Sequence, residues 1–166
     1  MRNWLLGLVL ALPLTALLTD DGLAKAKPSR APRPEPELKV LELNIRPLPY
    51  QPSNGPLEFA VTVQLPKELN GATILEVSSL ISSPSKTSLR FLSHRQPVEL
   101  PARTAVAAGN PTLSLRLSWD GQDHRKQQAG PGTYSYEVRV KLLAETEKGP
   151  RTMMVAWPKR GTVDVK

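Results

Sequence analysis

The chain has no cysteine among its 166 residues. That excludes disulfides, thiolate chemistry, cysteine-ligated metals and lipid attachment through an N-terminal cysteine. Histidine occurs only at His94 and His124, and aromatic residues make up 5% of the chain. No window of helical length carries a sustained i, i+3, i+4, i+7 apolar stripe. "ARTAVAAG" (Ala102–Gly109) is the one helical turn the pattern suggests. There is no nucleophile elbow, no phosphate-cradling glycine loop and no HExxH pair, so no catalytic residue and no cofactor is expected. Long apolar runs are missing too. Trp4–Leu18 spans 15 residues, whereas a bilayer-spanning helix needs about 20.

That run does have a context. Arg2 precedes it and the small-residue segment "GLAKAK" follows it. Charge, apolar run and small-residue exit are the order of a secretory signal peptide, with cleavage expected after Ala24 or Ala26. The competing reading is an uncleaved anchor. The shortness of the run, Pro13 within it and Asp20 and Asp21 behind it speak against that. The expected layout is a signal peptide over 1–26, a proline-rich basic spacer over 27–37 and one domain over 38–166. The spacer, "KPSRAPRPEPE", has no apolar periodicity and reads as an extended polyproline-like segment or a disordered leader. The domain is then periplasmic or extracellular, and not an integral membrane protein once processed.

From Leu38 onward the apolar residues fall into period two. "LEFAVTVQL" puts Leu57, Phe59, Val61, Val63 and Leu65 on one face. "TLSLRLSW" does the same with Leu113, Leu115, Leu117 and Trp119. "TYSYEVRVKL" does so with Tyr134, Tyr136, Val138, Val140 and Leu142. Such alternation marks strands with one buried side. "LKVLELNI" (Leu38–Ile45) changes phase between Val40 and Leu41, which predicts a bulge. Shorter strands are expected at 73–80, 87–93, 97–101, 151–157 and 161–165. Eight or nine short strands, each with one wet face, predict an all-β, immunoglobulin-like two-sheet sandwich of about eight strands.

The stretch "WDGQDHRKQQAGPGTY" (Trp119–Tyr134) links two of the most regular strands. A hairpin would set Leu117 against Tyr136, Leu115 against Val138 and Arg116 against Glu137, a register consistent on both faces. Asp120-Gly121 and Pro131-Gly132 suit turns that need a capping carboxylate and positive φ. Trp119, Asp120, Gly121, Asp123, Gly132 and Tyr134 are therefore expected to determine the fold. Their pattern, W-D-G-x-D, eight residues, then G-x-Y, resembles the bacterial immunoglobulin-like domain of flagellar hook-capping proteins. Similar domains end many exported bacterial surface proteins. The resemblance covers about 50 residues and implies the fold alone. The family usually has glycine where this chain has Lys126, and the hook cap's other segments are missing. Asp120, Asp123 and His124 supply too few ligands for calcium, and zinc at His124 would have His94 only from another segment, so no metal is expected.

Formal net charge is +7. Removing 1–26 takes two cations, Arg2 and Lys25, and two anions, Asp20 and Asp21, and leaves it unchanged. Such a surface attracts anionic partners. Outside the cytoplasm these are lipid head groups, envelope polymers or acidic proteins rather than nucleic acid. The candidate anion-binding residues are Arg90, Arg95, Arg103, Arg125, Lys126, Lys159 and Arg160, with His94 among them in sequence. If they gather at one end of the sandwich they form a site; if scattered, a solvated surface. The expected function is an exported, non-enzymatic binding or structural module of the bacterial envelope. The alternatives are a protein-docking module that adds an edge strand, and a small exported enzyme.

Overall fold

A computed structural model describes residues 36–69, 73–98 and 110–166, which belong to one compact unit, Pro34–Lys166. The signal-type segment, most of the spacer, the helical turn expected at 102–109 and Arg103 lie outside the described residues.

Eight strands are described: β1 (Lys39–Arg46), β2 (Leu57–Gln64), β3 (Thr73–Ser82), β4 (Ser88–Val98), β5 (Thr112–Trp119), β6 (Gly132–Ala144), β7 (Arg151–Val155) and β8 (Lys159–Val165). They form two antiparallel sheets. One has the order β1-β2-β5. The other has the order β4-β3-β6, with β7 and β8 both pairing along β6. The chain crosses between sheets after β2, β4 and β5, as in an immunoglobulin-like sandwich whose fourth strand lies beside the third.

The alternating strands dictate this arrangement. Leu57, Phe59, Val61 and Val63 of β2 turn inward beside Leu115, Leu117 and Trp119 of β5. Leu75, Val77 and Ile81 of β3, with Tyr134, Val138, Val140 and Leu142 of β6, close the core from the other sheet. Each such side chain removed from water stabilises the fold by about 1.5–3 kcal/mol. Ser79 is also fully buried there, and its hydroxyl has no hydrogen-bond partner. The phase change in β1 appears as a register shift between Val40 and Glu42.

Two expectations are corrected. The segment expected at 87–93 and the described part of that expected at 97–101 are not separate strands, because β4 runs from Ser88 through His94, Arg95 and Gln96 to Val98. Pro97 is accommodated because β4 is an edge strand, the place in a sheet where a residue without an N–H is tolerated. The hairpin is the larger correction. β5 pairs with β2 from Leu57↔Trp119 to Gln64↔Thr112, while β6 lies in the opposite sheet. Leu117 faces Phe59 in the ladder, and the Glu58 carboxylate is 3.9 Å from Arg116. Residues 120–131 are therefore a crossover. A stretch of this length exceeds the usual two to five residues of a hairpin loop and can bridge sheets about 10 Å apart. One-sided strands satisfy their apolar faces equally well side by side or face to face. Here they face, with the Trp119 and Tyr134 rings 5.8 Å apart.

Candidate functional site

The crossover is built from backbone satisfied by side chains. Asp120 Oδ1 accepts from Gln122 N at 3.0 Å. Gly121 has φ +76°, and a Cβ there would stand 2.8 Å from Tyr50 Oη and 2.7 Å from Gln128 Nε2, so only glycine fits. Asp123 Oδ1 accepts from Arg125 N at 2.7 Å and Gln127 N at 2.8 Å. Those backbone donors, the Gln127 N–H first, hold the Asp123 carboxyl below its usual range. Lys126, where the resembling family carries glycine, is left-handed with φ 63°. Trp119 Nε1 donates to Gln122 O at 2.8 Å, and Tyr50 Oη donates to Trp119 O at 3.3 Å. Gly132 has φ +154°. Tyr134 then donates from Oη to Gly130 O at 2.9 Å. A tyrosine at the start of this strand that bonds back to the preceding loop is the tyrosine corner of immunoglobulin-like sandwiches.

This loop is stitched to β4. His124 N donates to Leu89 O at 3.0 Å, and Arg90 Nη1 donates to Asp123 O at 3.1 Å. Pro84, in the β3–β4 turn, lies against Gly132. The two loops thus adjoin at one end of the sandwich. With the start of β4 they gather Arg90, Arg125 and Lys126 with a fourth cation, Lys86, which the sequence pattern missed. Lys86 occupies the Ser83–Thr87 turn with φ 63°. The turn chemistry of "SPSKTS" could have marked it. Among the described residues none of these four cations has a carboxylate within ion-pair distance.

The other predicted cations lie elsewhere. Arg95 sits mid-strand on β4, opposite Glu76 of β3, and its Nε is 2.6 Å from Glu76 Oε2. Lys141 Nζ stands 3.5 Å from Glu76 Oε1. Burial alone would raise the Glu76 pKa, but Arg95 and then Lys141 outweigh it, and the net direction is down. Arg160 Nε is 2.7 Å from Glu137 Oε2, and Arg139 Nε bonds Glu137 Oε1. Arg160 first, then Arg139, hold the Glu137 carboxyl below its usual range. Lys159 lines a shallow recess at the sandwich edge with Pro36, Leu38, Lys39, Val40 and Trp157. The six candidates among the described residues therefore do not form a single cluster. Among the described residues no three His, Asp or Glu side chains converge as metal ligands.

No family model and no curated protein matches the chain. Among solved structures, it is similar to the solution structure of AT1g01470 from Arabidopsis thaliana. The identity is 14% and the TM-score 0.43, over 80% of this chain and 84% of that one. The fold assignment rests on the strand pairing and the tyrosine corner. No helix among the described residues is long and apolar enough to cross a membrane.

Proposed function

We propose that this protein is an exported, non-enzymatic, immunoglobulin-like binding module of the bacterial envelope whose basic end engages an anionic polymer or lipid surface. Export is inferred from Arg2, the Trp4–Leu18 run and its small-residue exit. The observation that supports the binding role is the meeting of two adjoining loops. With the start of β4 they bring Lys86, Arg90, Arg125 and Lys126 to one end, none with a carboxylate within ion-pair distance among the described residues, although the Asp123 carboxyl stands in the same loop and feels Arg125. Their fields add within the Debye length of about 8 Å at physiological salt, so contact is fast and salt-sensitive.

The test titrates the protein against anionic vesicles and purified envelope polymer at low and physiological salt. Two double reversals of equal charge are compared. Arg125→Glu with Lys126→Glu alters the basic end. Lys148→Glu with Arg151→Glu alters the β6–β7 turn at the opposite end. Each basic residue near an anionic surface contributes about 1 kcal/mol, so the first pair is expected to weaken binding by about thirtyfold or more. The second is expected to weaken it far less. Equal losses, or no binding at low salt, would leave the charge as a solubility feature and overturn the proposal.

A further inference from the structure

The outer face of the five-stranded sheet carries charge in a different form. Its outward residues fall into cross-strand rows. Phe91, Leu80, Glu137 and Arg160 form one row, Ser93, Ser78 and Arg139 the next, and Arg95, Glu76, Lys141 and Val155 the third. Strands lie about 5 Å apart and such rows about 7 Å apart, so all three rows fall within roughly 15 Å of one another. Each glutamate is shared by two cations, Glu76 by Arg95 and Lys141, and Glu137 by Arg139 and Arg160. Four cations against two carboxylates leave these three rows a surplus of two positive charges.

The arginines reach their glutamates in one particular way. Arg95, Arg139 and Arg160 all bond through Nε. Among the described residues, the Nη1 and Nη2 groups of all three have no further hydrogen-bond partner. The three side chains remain 57%, 58% and 68% exposed. A guanidinium tethered at Nε is already oriented, and its free amino edge can take a second oxyanion with little further loss of rotamer freedom. Arg139 and Arg160 share one carboxylate, the first on Oε1 and the second on Oε2, so both guanidinium groups are anchored at the same point of the face.

Apolar surface lies in the same row. Phe91 is 62% exposed and its cross-strand neighbour Leu80 is 37% exposed, while small Ser93 and Ser78 keep the next row low. A purely ionic contact with a polymer makes no use of an exposed Phe91–Leu80 pair. An anionic phospholipid surface uses both features, since its phosphates accept from guanidinium groups and its acyl boundary accepts apolar side chains.

We infer that this sheet face docks on an anionic phospholipid surface, with the amino edges of Arg139 and Arg160 on lipid phosphate and Phe91 and Leu80 entering the headgroup–acyl boundary. The inference rests on the reading of an anionic envelope surface as partner and narrows it to lipid. The loop end supplies long-range attraction, and the sheet face supplies the specific contact.

The test measures partitioning of the protein, as recovered from expressing cells, onto phosphatidylcholine vesicles with and without phosphatidylglycerol. All variants are compared in the same full-chain background, and their melting temperatures are checked first. Phe91→Ser changes no charge and is expected to reduce partitioning by about tenfold, the scale of burying half an aromatic side chain. Glu137→Gln removes one negative charge, raising the net charge by one, but releases both arginines. It is expected to weaken binding, whereas simple charge attraction requires it to tighten. Unchanged partitioning of Phe91→Ser, or tighter binding of Glu137→Gln, would overturn the inference. If only the Arg125/Lys126 reversal lowers binding, the proposed function stands and this inference falls. If only the face variants do, the inference stands and the basic end loses its role. Absence of binding to these vesicles with retained binding to acidic envelope polymer would also overturn the lipid assignment.

Discussion

Gly161→Ala is the sharpest test of how β8 is held to the sheet. Gly161 lies opposite Tyr136 in the β6–β8 ladder. A Cβ at position 161 would overlap Tyr136 Oη and stand 2.6 Å from its Cζ and 3.0 Å from its Cε1. The ring has little room to retreat. It packs edge-on to Phe59, with centroids 5.6 Å apart and an interplanar angle of 75°, and Phe59 is fully buried. The strand must therefore shift. Overpacking costs about 1–3 kcal/mol, and a weakened ladder bond adds about 1. An urea midpoint lowered by about 1–2 M with an unchanged slope is expected. Tyr136→Phe removes only Oη, so most of the penalty should persist in that background. Tyr136→Val removes the ring, and in that background Gly161→Ala should cost at least about 1 kcal/mol less. A cost of Gly161→Ala under about 0.5 kcal/mol, or no relief from Tyr136→Val, would refute the reasoning. Arg160 precedes Gly161, so displacement of β8 should also weaken its bond to Glu137.

Tyr134→Phe is expected to destabilise by about 0.5–1.5 kcal/mol, because it removes the hydrogen bond to the exposed Gly130 carbonyl; denaturant melts without a shift in midpoint would remove the tyrosine corner from the account. Acid should destabilise the fold. The carboxyls of Glu76, Asp123 and Glu137 have lowered folded pKa values, so their contribution is present above the ordinary carboxylate range and is lost as pH falls through the folded values, below about pH 4.5. Glu76→Gln with Glu137→Gln should flatten the urea midpoint against pH in that window, and a profile identical to the parent's would refute the assignment.

The strands were legible because period two survives in this chain wherever one face is buried. β5 spans the expected Thr112–Trp119, and even the bulge after Val40 showed as a change of phase. Partnership was not legible. The alternation that places Leu115 and Val138 inward is identical whether they are neighbours in one sheet or lie in opposite sheets. Continuity through β4 was hidden by Pro97, which reads as a breaker unless the strand is known to be an edge. The cations divided for the same reason. Arg125 and Lys126 belong to a loop, and Arg90 to the start of β4, whose proximity follows from the crossover, whereas Arg95 and Arg160 find Glu76 and Glu137 only through strand pairing. Which nitrogen of an arginine meets a glutamate has no sequence signature at all.

Tyr50 closes the sandwich in a way that bears on when the protein can fold. Its N–H donates to Asp164 O and its carbonyl accepts from Lys166 N, each at 2.9 Å, while its ring packs on Trp119. Synthesis delivers Tyr50 well before these backbone partners. A nascent chain lacking β8 leaves one long side of β6 only partly paired, leaves Glu137 without Arg160, and keeps Tyr50 from its final seat. Closure therefore waits for the last strand, and contacts of such long sequence separation form slowly. Until β8 has been made, a polypeptide with this topology stays threadable through a narrow passage.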